Sequence, residues 1–149
     1  MQFKQKIYDA CLQVVNDKIQ NFQNTLNDLS EGAENDSKSS AGDKHETARA
    51  MMQLEQEKIS KQLDETLSQK AILQKMDVHV KSNHIQNGSL IKTNHGYLFL
   101  SIALGKIKTD KTDVIVLSAA SPLGVKLVGK EVNSFVEINT AKYIIEDIY

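Results

Sequence analysis

The sequence predicts an α+β protein, in which an antiparallel two-helix coiled-coil hairpin precedes a small antiparallel β domain with one short helix. Two long runs with helical spacing of apolar residues fill the first half of the chain. After Met76 the pattern changes to short alternating segments separated by turn residues. Aromatic residues make up only 5% of the chain and proline occurs once, which favours helix. We therefore expect two domains, residues 1–76 and residues 77–149.

The first helix is predicted over residues 3–29. Its apolar residues recur in steps of three and four, as in a heptad repeat, and no glycine or proline interrupts them. They are Tyr8, Leu12, Val15, Ile19, Phe22, Leu26 and Leu29. A helix of this length is about 40 Å long, more than a small globular domain needs, so it requires a partner helix.

The partner helix is predicted over residues 43–76, after a loop at residues 30–42 that is rich in turn-forming residues. Its apolar stripe is less regular, because polar residues share the track with apolar ones. The track comprises Met52, Gln56, Ile59, Leu63, Thr66, Lys70 and Leu73. Two antiparallel helices that bury their stripes on each other are the simplest arrangement, with the tip of the hairpin near residues 39–46.

The β domain is predicted to follow a polar connector at residues 77–87. Strands are expected at residues 88–93, 97–104, 114–117, 135–138 and 143–148, the first two joined by a turn at residues 94–96. Ser121 as N-cap, Pro122 at the first helical position and Gly129 just past the end predict one short helix between the strands.

Composition limits the classes of partner. The net charge is −1 and no domain carries a strong basic field, so we expect no sequence-specific DNA binding. Cys11 is the only cysteine, which excludes an intrachain disulfide and a cysteine zinc site, and we expect it to pack as a small apolar residue. Charged residues interrupt the first ten positions, and the longest apolar stretch, residues 97–104, is too short to cross a bilayer. We therefore expect a cytoplasmic protein without a membrane partner.

The polar segment Ser39–Glu46 contains the candidate metal ligands. Asp43 and Glu46 are three residues apart, so they share one face if the second helix has begun by Asp43. Two carboxylates can contribute to a Mg²⁺ site whose other ligands come from elsewhere. The simpler alternative is that both acids stabilise a helix N-terminus and remain solvated.

Other motifs are weaker. Gly124, Gly129 and Lys130 have the spacing of a phosphate-binding loop, but Glu131 stands where a serine or threonine must reach magnesium, and the helix start and stop signals explain both glycines. The four histidines lack the spacing of metal ligands, so we expect them to be solvated or locally hydrogen-bonded.

Together, the segment from Gly42 to Ala48 (Gly-Asp-Lys-His-Glu-Thr-Ala) and the Ser121-Pro122 and Gly129-Lys130 pairs resemble the Gre-type transcript cleavage factors of bacterial RNA polymerase. The resemblance covers nearly the whole chain. It implies a coiled-coil hairpin with an acidic tip and a C-terminal domain of the FK506-binding-protein-like fold.

The resemblance also implies a function. In that family the hairpin enters the secondary channel of RNA polymerase, and two tip acids help hold Mg²⁺ and orient a water that cleaves the 3′ end of backtracked RNA. The matching residues here are Asp43 and Glu46. The polymerase remains the enzyme, and the nascent RNA is contacted indirectly. Docking near the family's polymerase contact makes Ser121, Pro122, Gly124 and Lys130 candidate partner-binding residues.

Alternatives remain open, because the residues that follow Glu46 differ from the family pattern. The family has an acid and an aromatic residue where this chain has Arg49 and Ala50. This difference favours a second hypothesis, a regulator that occupies the channel without stimulating cleavage. A prolyl isomerase and a coiled-coil adaptor are further alternatives, and the scarcity of aromatic residues disfavours the isomerase.

Overall fold

The computed structural model describes residues 2–38 and 42–149, and the side chains of all of these except residues 33–38 and 42–45. The predicted α+β fold is confirmed: two long helices pack together and precede a six-stranded sheet and a short helix. The helices are α1 (Gln2–Lys38), α2 (Gly42–Gln74) and α3 (Pro122–Leu127). The strands are β1 (Leu90–Thr93), β2 (Gly96–Ser101), β3 (Gly105–Thr109), β4 (Thr112–Ser118), β5 (Phe135–Ile138) and β6 (Ala141–Ile148).

The chain forms two compact units, and each contains part of both long helices. One unit, here the hairpin unit, comprises Val14–Lys70. The other, here the sheet unit, comprises the start of α1 up to Gln13 together with Ala71–Tyr149. None of the helices in the described parts of the chain has an apolar stretch long enough to cross a membrane.

In the hairpin unit, α1 and α2 bury the stripes that the sequence predicts. Val15, Ile19 and Ile59 are buried, and the rest of the stripe is half-buried, including the polar Gln56. Thr66 is also buried, and its hydroxyl donates to the carbonyl oxygen of Gln62 at 2.8 Å. A polar residue is therefore tolerated on the stripe because its own helix satisfies its hydrogen bond.

The predicted loop at residues 30–42 is wrong for most of its length, because α1 continues to Lys38. Gly32 is part of that helix and approaches α2 closely: a Cβ added there would lie 2.9 Å from the terminal methyl of Met52. The glycine thus makes room for a neighbouring side chain and does not form a turn. The remaining loop residues, Ser39–Ala41, and with them the possible serine cap of α2, lie outside the described residues.

In the sheet unit, the first turns of α1 bury Ile7 and Cys11, where the heptad pattern predicted Tyr8 and Leu12. Tyr8 is half-buried, and its hydroxyl donates to the carbonyl oxygen of Leu73 at 3.0 Å. The buried stripe is displaced by one residue because this part of α1 also packs on the sheet, where Phe3 makes an edge-on ring contact with Tyr97.

A buried lysine fixes the start of α1 within the sheet unit. Lys4 is only 2% exposed, and its Nζ donates to the carbonyl oxygens of Val80 at 3.3 Å and Tyr149 at 3.0 Å. Burial lowers the pKa of its ammonium, and the nearby Asp77 carboxylate opposes that shift. Two residues later, on the opposite side of the helix, exposed Lys6 pairs with Asp110 at 2.7 Å.

The sheet has the strand order β3-β4-β2-β1-β6-β5. All neighbouring strands are antiparallel except β2 and β4, which run parallel. Strand β3 was not predicted from the sequence, and neither was the reversal that makes β4 parallel to β2. The segment Lys106-Ile107-Lys108 alternates in polarity but contains a single large apolar residue, as expected at a sheet edge protected by lysine.

One hydrophobic cluster of the sheet unit lies between one face of the sheet and α3. It contains Leu127 from α3 and Ile85 from the connector, together with Ile91, Leu98, Leu100, Leu117, Val136, Ile145 and Ile148 of the sheet. Ile85 is bound on both sides, since its N–H donates to Lys130 and its carbonyl oxygen accepts from Gly129. Ile85 therefore attaches the polar connector at residues 77–87 to the core, while most of its other residues remain exposed.

The burial of Cys11 predicts a thiol that does not react in the folded protein. Burial raises its pKa from an ordinary 9.0 to about 12, which lowers the thiolate fraction at pH 8 about 1,000-fold. We expect labelling by a disulfide reagent at pH 8 to be slower by at least that factor than in urea-unfolded protein. Labelling at the rate of a free thiol would contradict the burial of this residue.

The position of Gly32 predicts that Gly32→Ala is neutral or stabilising. Alanine improves helix propensity by about 1 kcal/mol, and among the side chains that the structure describes the only close contact is the flexible end of Met52. We expect the free energy of unfolding in urea to rise by up to ~1 kcal/mol. A loss of similar size would show that Met52 cannot move, or that residues 30–38 are not helical.

Candidate functional site

The predicted carboxylate pair requires that the second helix has begun by Asp43, and it has. Helix α2 begins at Gly42, so Asp43 and Glu46 lie one helical turn apart at its start. The Glu46 side chain is exposed, whereas the side chain of Asp43 lies outside those that the structure describes. A carboxylate at the first turns of a helix interacts favourably with the backbone N–H groups there. The same position leaves Glu46 open to an external ligand.

Asp43 and Glu46 alone provide at most two carboxylates, so a metal bound by this pair needs further ligands from elsewhere. Among the described residues, no group of three histidine, cysteine, aspartate or glutamate side chains could hold a metal ion. One or two carboxylates match the way Mg²⁺ is bound when other oxygen ligands complete its shell. Arg49 is exposed one turn after Glu46 on α2, and a guanidinium there competes with a cation for the carboxylate.

The residues predicted to bind a partner around α3 have clear structural roles. Ser121 is the N-cap: its Oγ accepts from the Gly124 N–H at 3.0 Å and donates to the Ser118 carbonyl oxygen at 2.6 Å. Pro122 occupies the first helical position, and Gly129 adopts φ +84 just beyond the helix. The start and stop signals read from the sequence are therefore confirmed, and the glycines do not form a phosphate-binding loop.

Gly124 is buried where α3 meets the end of β4. A Cβ at this position would lie 2.1 Å from the Ser118 carbonyl oxygen and 2.9 Å from the Ala119 Cα, both backbone atoms. Only glycine permits this approach. Of the four predicted residues, Ser121, Pro122 and Gly124 lie together at the start of α3, while exposed Lys130 lies beyond its end.

A groove that the sequence analysis missed lies between α3 and β5. Its volume is about 610 Å³, and it is lined by Val125, Lys126, Val128, Lys130, Phe135, Val136 and Glu137. We define these seven residues as the α3–β5 groove. Its apolar members come from a helix and a strand separated in sequence, so only the fold brings them together. The sequence held one indication of the groove. Val125 and Val128 are apolar, although a short helix leaves both of these positions exposed.

Two of the three histidines whose side chains the structure describes contact residues that are distant in sequence, and the third is exposed. The His84 Nε2 lies 2.7 Å from the Glu131 carboxylate, and the His95 Nε2 lies 3.0 Å from the carbonyl oxygen of Lys142. His79 is exposed, and its backbone N–H donates to Asp77. The side chain of His45 lies outside those that the structure describes.

Comparison with models of known protein families gives no match, and comparison with curated proteins gives none either. The resemblance to the Gre-type factors therefore rests on the quoted motifs and on the arrangement of a helical hairpin before a sheet.

The close approach at Gly124 predicts that Gly124→Ala is strongly destabilising. The added methyl overlaps backbone atoms that cannot move without displacing α3 from β4, at a cost of roughly 3 kcal/mol. We expect a matching fall in the free energy of unfolding in urea. Val125→Ala, at the exposed next position, serves as the control and should change it by less than ~0.5 kcal/mol. Similar stability for both variants would contradict this packing.

Proposed function

We propose that this protein is a transcription elongation factor that binds the secondary channel of RNA polymerase and stimulates cleavage of backtracked RNA. The proposal rests chiefly on one observation: α2 begins at Gly42, which sets Asp43 and Glu46 one turn apart at the end of a long helical hairpin. The sequence resemblance assigns the same two residues to that role.

The dimensions of the hairpin are consistent with delivery of a side chain into a buried site. Helices α1 and α2 contain 37 and 33 residues, which correspond to lengths of roughly 55 and 50 Å. The C-terminal part is consistent with the FK506-binding-protein-like fold that the resemblance implies. Its support is a mostly antiparallel sheet packed on one short helix, with Ser121-Pro122 before that helix and Gly129-Lys130 after it.

In this proposal Asp43 and Glu46 contribute oxygen ligands to Mg²⁺ in the polymerase active site. Bound there, Mg²⁺ supplies charge stabilisation for the cleavage of a phosphodiester. The carboxylates of this chain accept hydrogen bonds from an attacking water and hold it in place. Because one or two carboxylates leave most of the Mg²⁺ shell to other ligands, the free protein is expected to bind Mg²⁺ weakly. The polymerase supplies the catalytic residues, and this location implies a cytoplasmic protein.

A second candidate function is that of a regulator that occupies the channel without stimulating cleavage. The exposed guanidinium of Arg49, one helical turn after Glu46, favours it, because a neighbouring cation weakens the affinity of the carboxylate for a divalent ion. Such a regulator would block access to the channel by its helical hairpin alone. Its tip acids would then serve the stability of α2.

The test is transcript cleavage in a backtracked elongation complex that contains polymerase from the same organism. We expect the wild type to stimulate cleavage and the double variant Asp43→Asn/Glu46→Gln to lose roughly 10- to 100-fold of that stimulation, since two metal ligands are removed. Asp64→Asn/Glu65→Gln, a pair of exposed acids farther along α2, provides the matched control and should keep full activity.

Binding to polymerase, measured in parallel, separates the two candidate functions. Retained binding by the tip variant with lost cleavage supports the elongation factor. Binding by the wild type without any cleavage, together with displacement of an authentic cleavage factor, supports the channel-occupying regulator. Absence of binding to polymerase by the wild type would refute both.

A further inference from the structure

The α3–β5 groove leaves large apolar side chains exposed at one place on the sheet unit. Val125 is 65% exposed, Phe135 53% and Val128 47%, and all three line the same groove. Ile144, directly opposite Phe135 in the β5–β6 pairing, is exposed as well. Single exposed apolar residues are ordinary, but a cluster rimmed by polar residues is typical of an interaction surface.

The groove runs beside an edge of the sheet. Strand β5 is the last strand in the order, so one side of its backbone has no neighbouring strand. The carbonyl oxygen of Glu137 accepts a hydrogen bond from the Nζ of Lys126, an exposed and flexible group. An incoming extended chain can replace that bond with one from its own backbone N–H. The edge therefore favours an extended ligand.

The charges around the groove determine the kind of ligand. Lys126 and Lys130 line it, and Lys142 places its Nζ 4.2 Å from the centre of the Phe135 ring. Glu137 is the single acidic residue among the lining residues, and nearby Glu131 is already paired with His84. The surplus of positive charge disfavours a second copy of the same surface and favours carboxylates.

We propose that the α3–β5 groove binds an extended, acidic segment of a partner protein. Apolar side chains of that segment lie against Val125, Val128 and Phe135, and its carboxylates meet Lys126 and Lys130. This binding uses none of the tip acids and does not depend on the cleavage function proposed above.

The test is a titration of isotopically labelled full-length protein, followed by amide NMR signals. The probe is a short peptide of alternating glutamate and leucine. We expect saturable shifts at residues 125–137 and at Lys142, which weaken at high salt because exposed charges contribute. Lys126→Glu/Lys130→Glu should weaken binding at least 10-fold. Lys92→Glu/Lys108→Glu, with two exposed strand lysines away from the groove, is the matched control and should change binding less than twofold.

Further variants distinguish the apolar contribution from charge alone. Val125→Ser removes an exposed apolar contact without affecting the core, and it should weaken binding about 3- to 10-fold. Asp43→Asn/Glu46→Gln should bind the peptide like the wild type, which separates this proposal from the cleavage function. A well-dispersed spectrum of each variant confirms that it is folded.

Several results would overturn the proposal. The titration would do so by showing no saturable shifts, shifts centred on other lysines, equal binding of a peptide with lysine in place of glutamate, or tighter binding of a short RNA at the same residues. Self-association of the free protein through these residues would also overturn it, because a second copy would then be the ligand.

Discussion

The buried ammonium of Lys4 is the constraint on which the sheet unit depends. An ammonium on a side chain with so little exposed surface is destabilising unless polar groups surround it, and here the carbonyl oxygens of Val80 and Tyr149 provide them. Both must be correctly placed at once, so the lysine links the start of α1 to the connector and to the end of the last strand. The ring contact of Phe3 with Tyr97 extends this attachment. The first turns of α1 are therefore part of the sheet unit, although their apolar residues have the heptad spacing of a coiled coil.

The two candidate sites differ in charge and in how the fold provides them. The tip acids are close in sequence, and a helix start alone is enough to set them one turn apart. The α3–β5 groove needs the whole sheet unit, because Gly124 must let α3 approach β4 before Val125 and Phe135 can line one surface. The two proposals assign a cation to the acidic helix start and a carboxylate-bearing protein to the basic groove. They use different side chains, so substitutions at Asp43 and Glu46 test the first without altering the second.

Most of the architecture was predictable because it is encoded locally. The stripe of α2, including Thr66, follows from helical spacing, and the bounds of α3 follow from its capping residues. The errors arose where tertiary contacts override local signals. Gly32 reads as a turn residue but sits in a helix that needs space for Met52, and the polar strand β3 forms because β4 provides its hydrogen bonds. Asp43 and Glu46 are close in sequence, so the sequence alone identified them. The α3–β5 groove depends on tertiary contacts, so the sequence did not reveal it.

The bond between Lys4 and Tyr149 joins residues 145 positions apart, and this separation sets an order for folding during synthesis. The helices of the hairpin unit make local contacts and can form as soon as α2 has left the ribosome. The sheet unit cannot be completed until the chain has been made through Tyr149. Until then the residues that bury Ile7 and Cys11 are not all in place, so the apolar face at the start of α1 stays exposed. Until Tyr149 has been made, the start of α1 therefore presents apolar side chains that the folded protein buries.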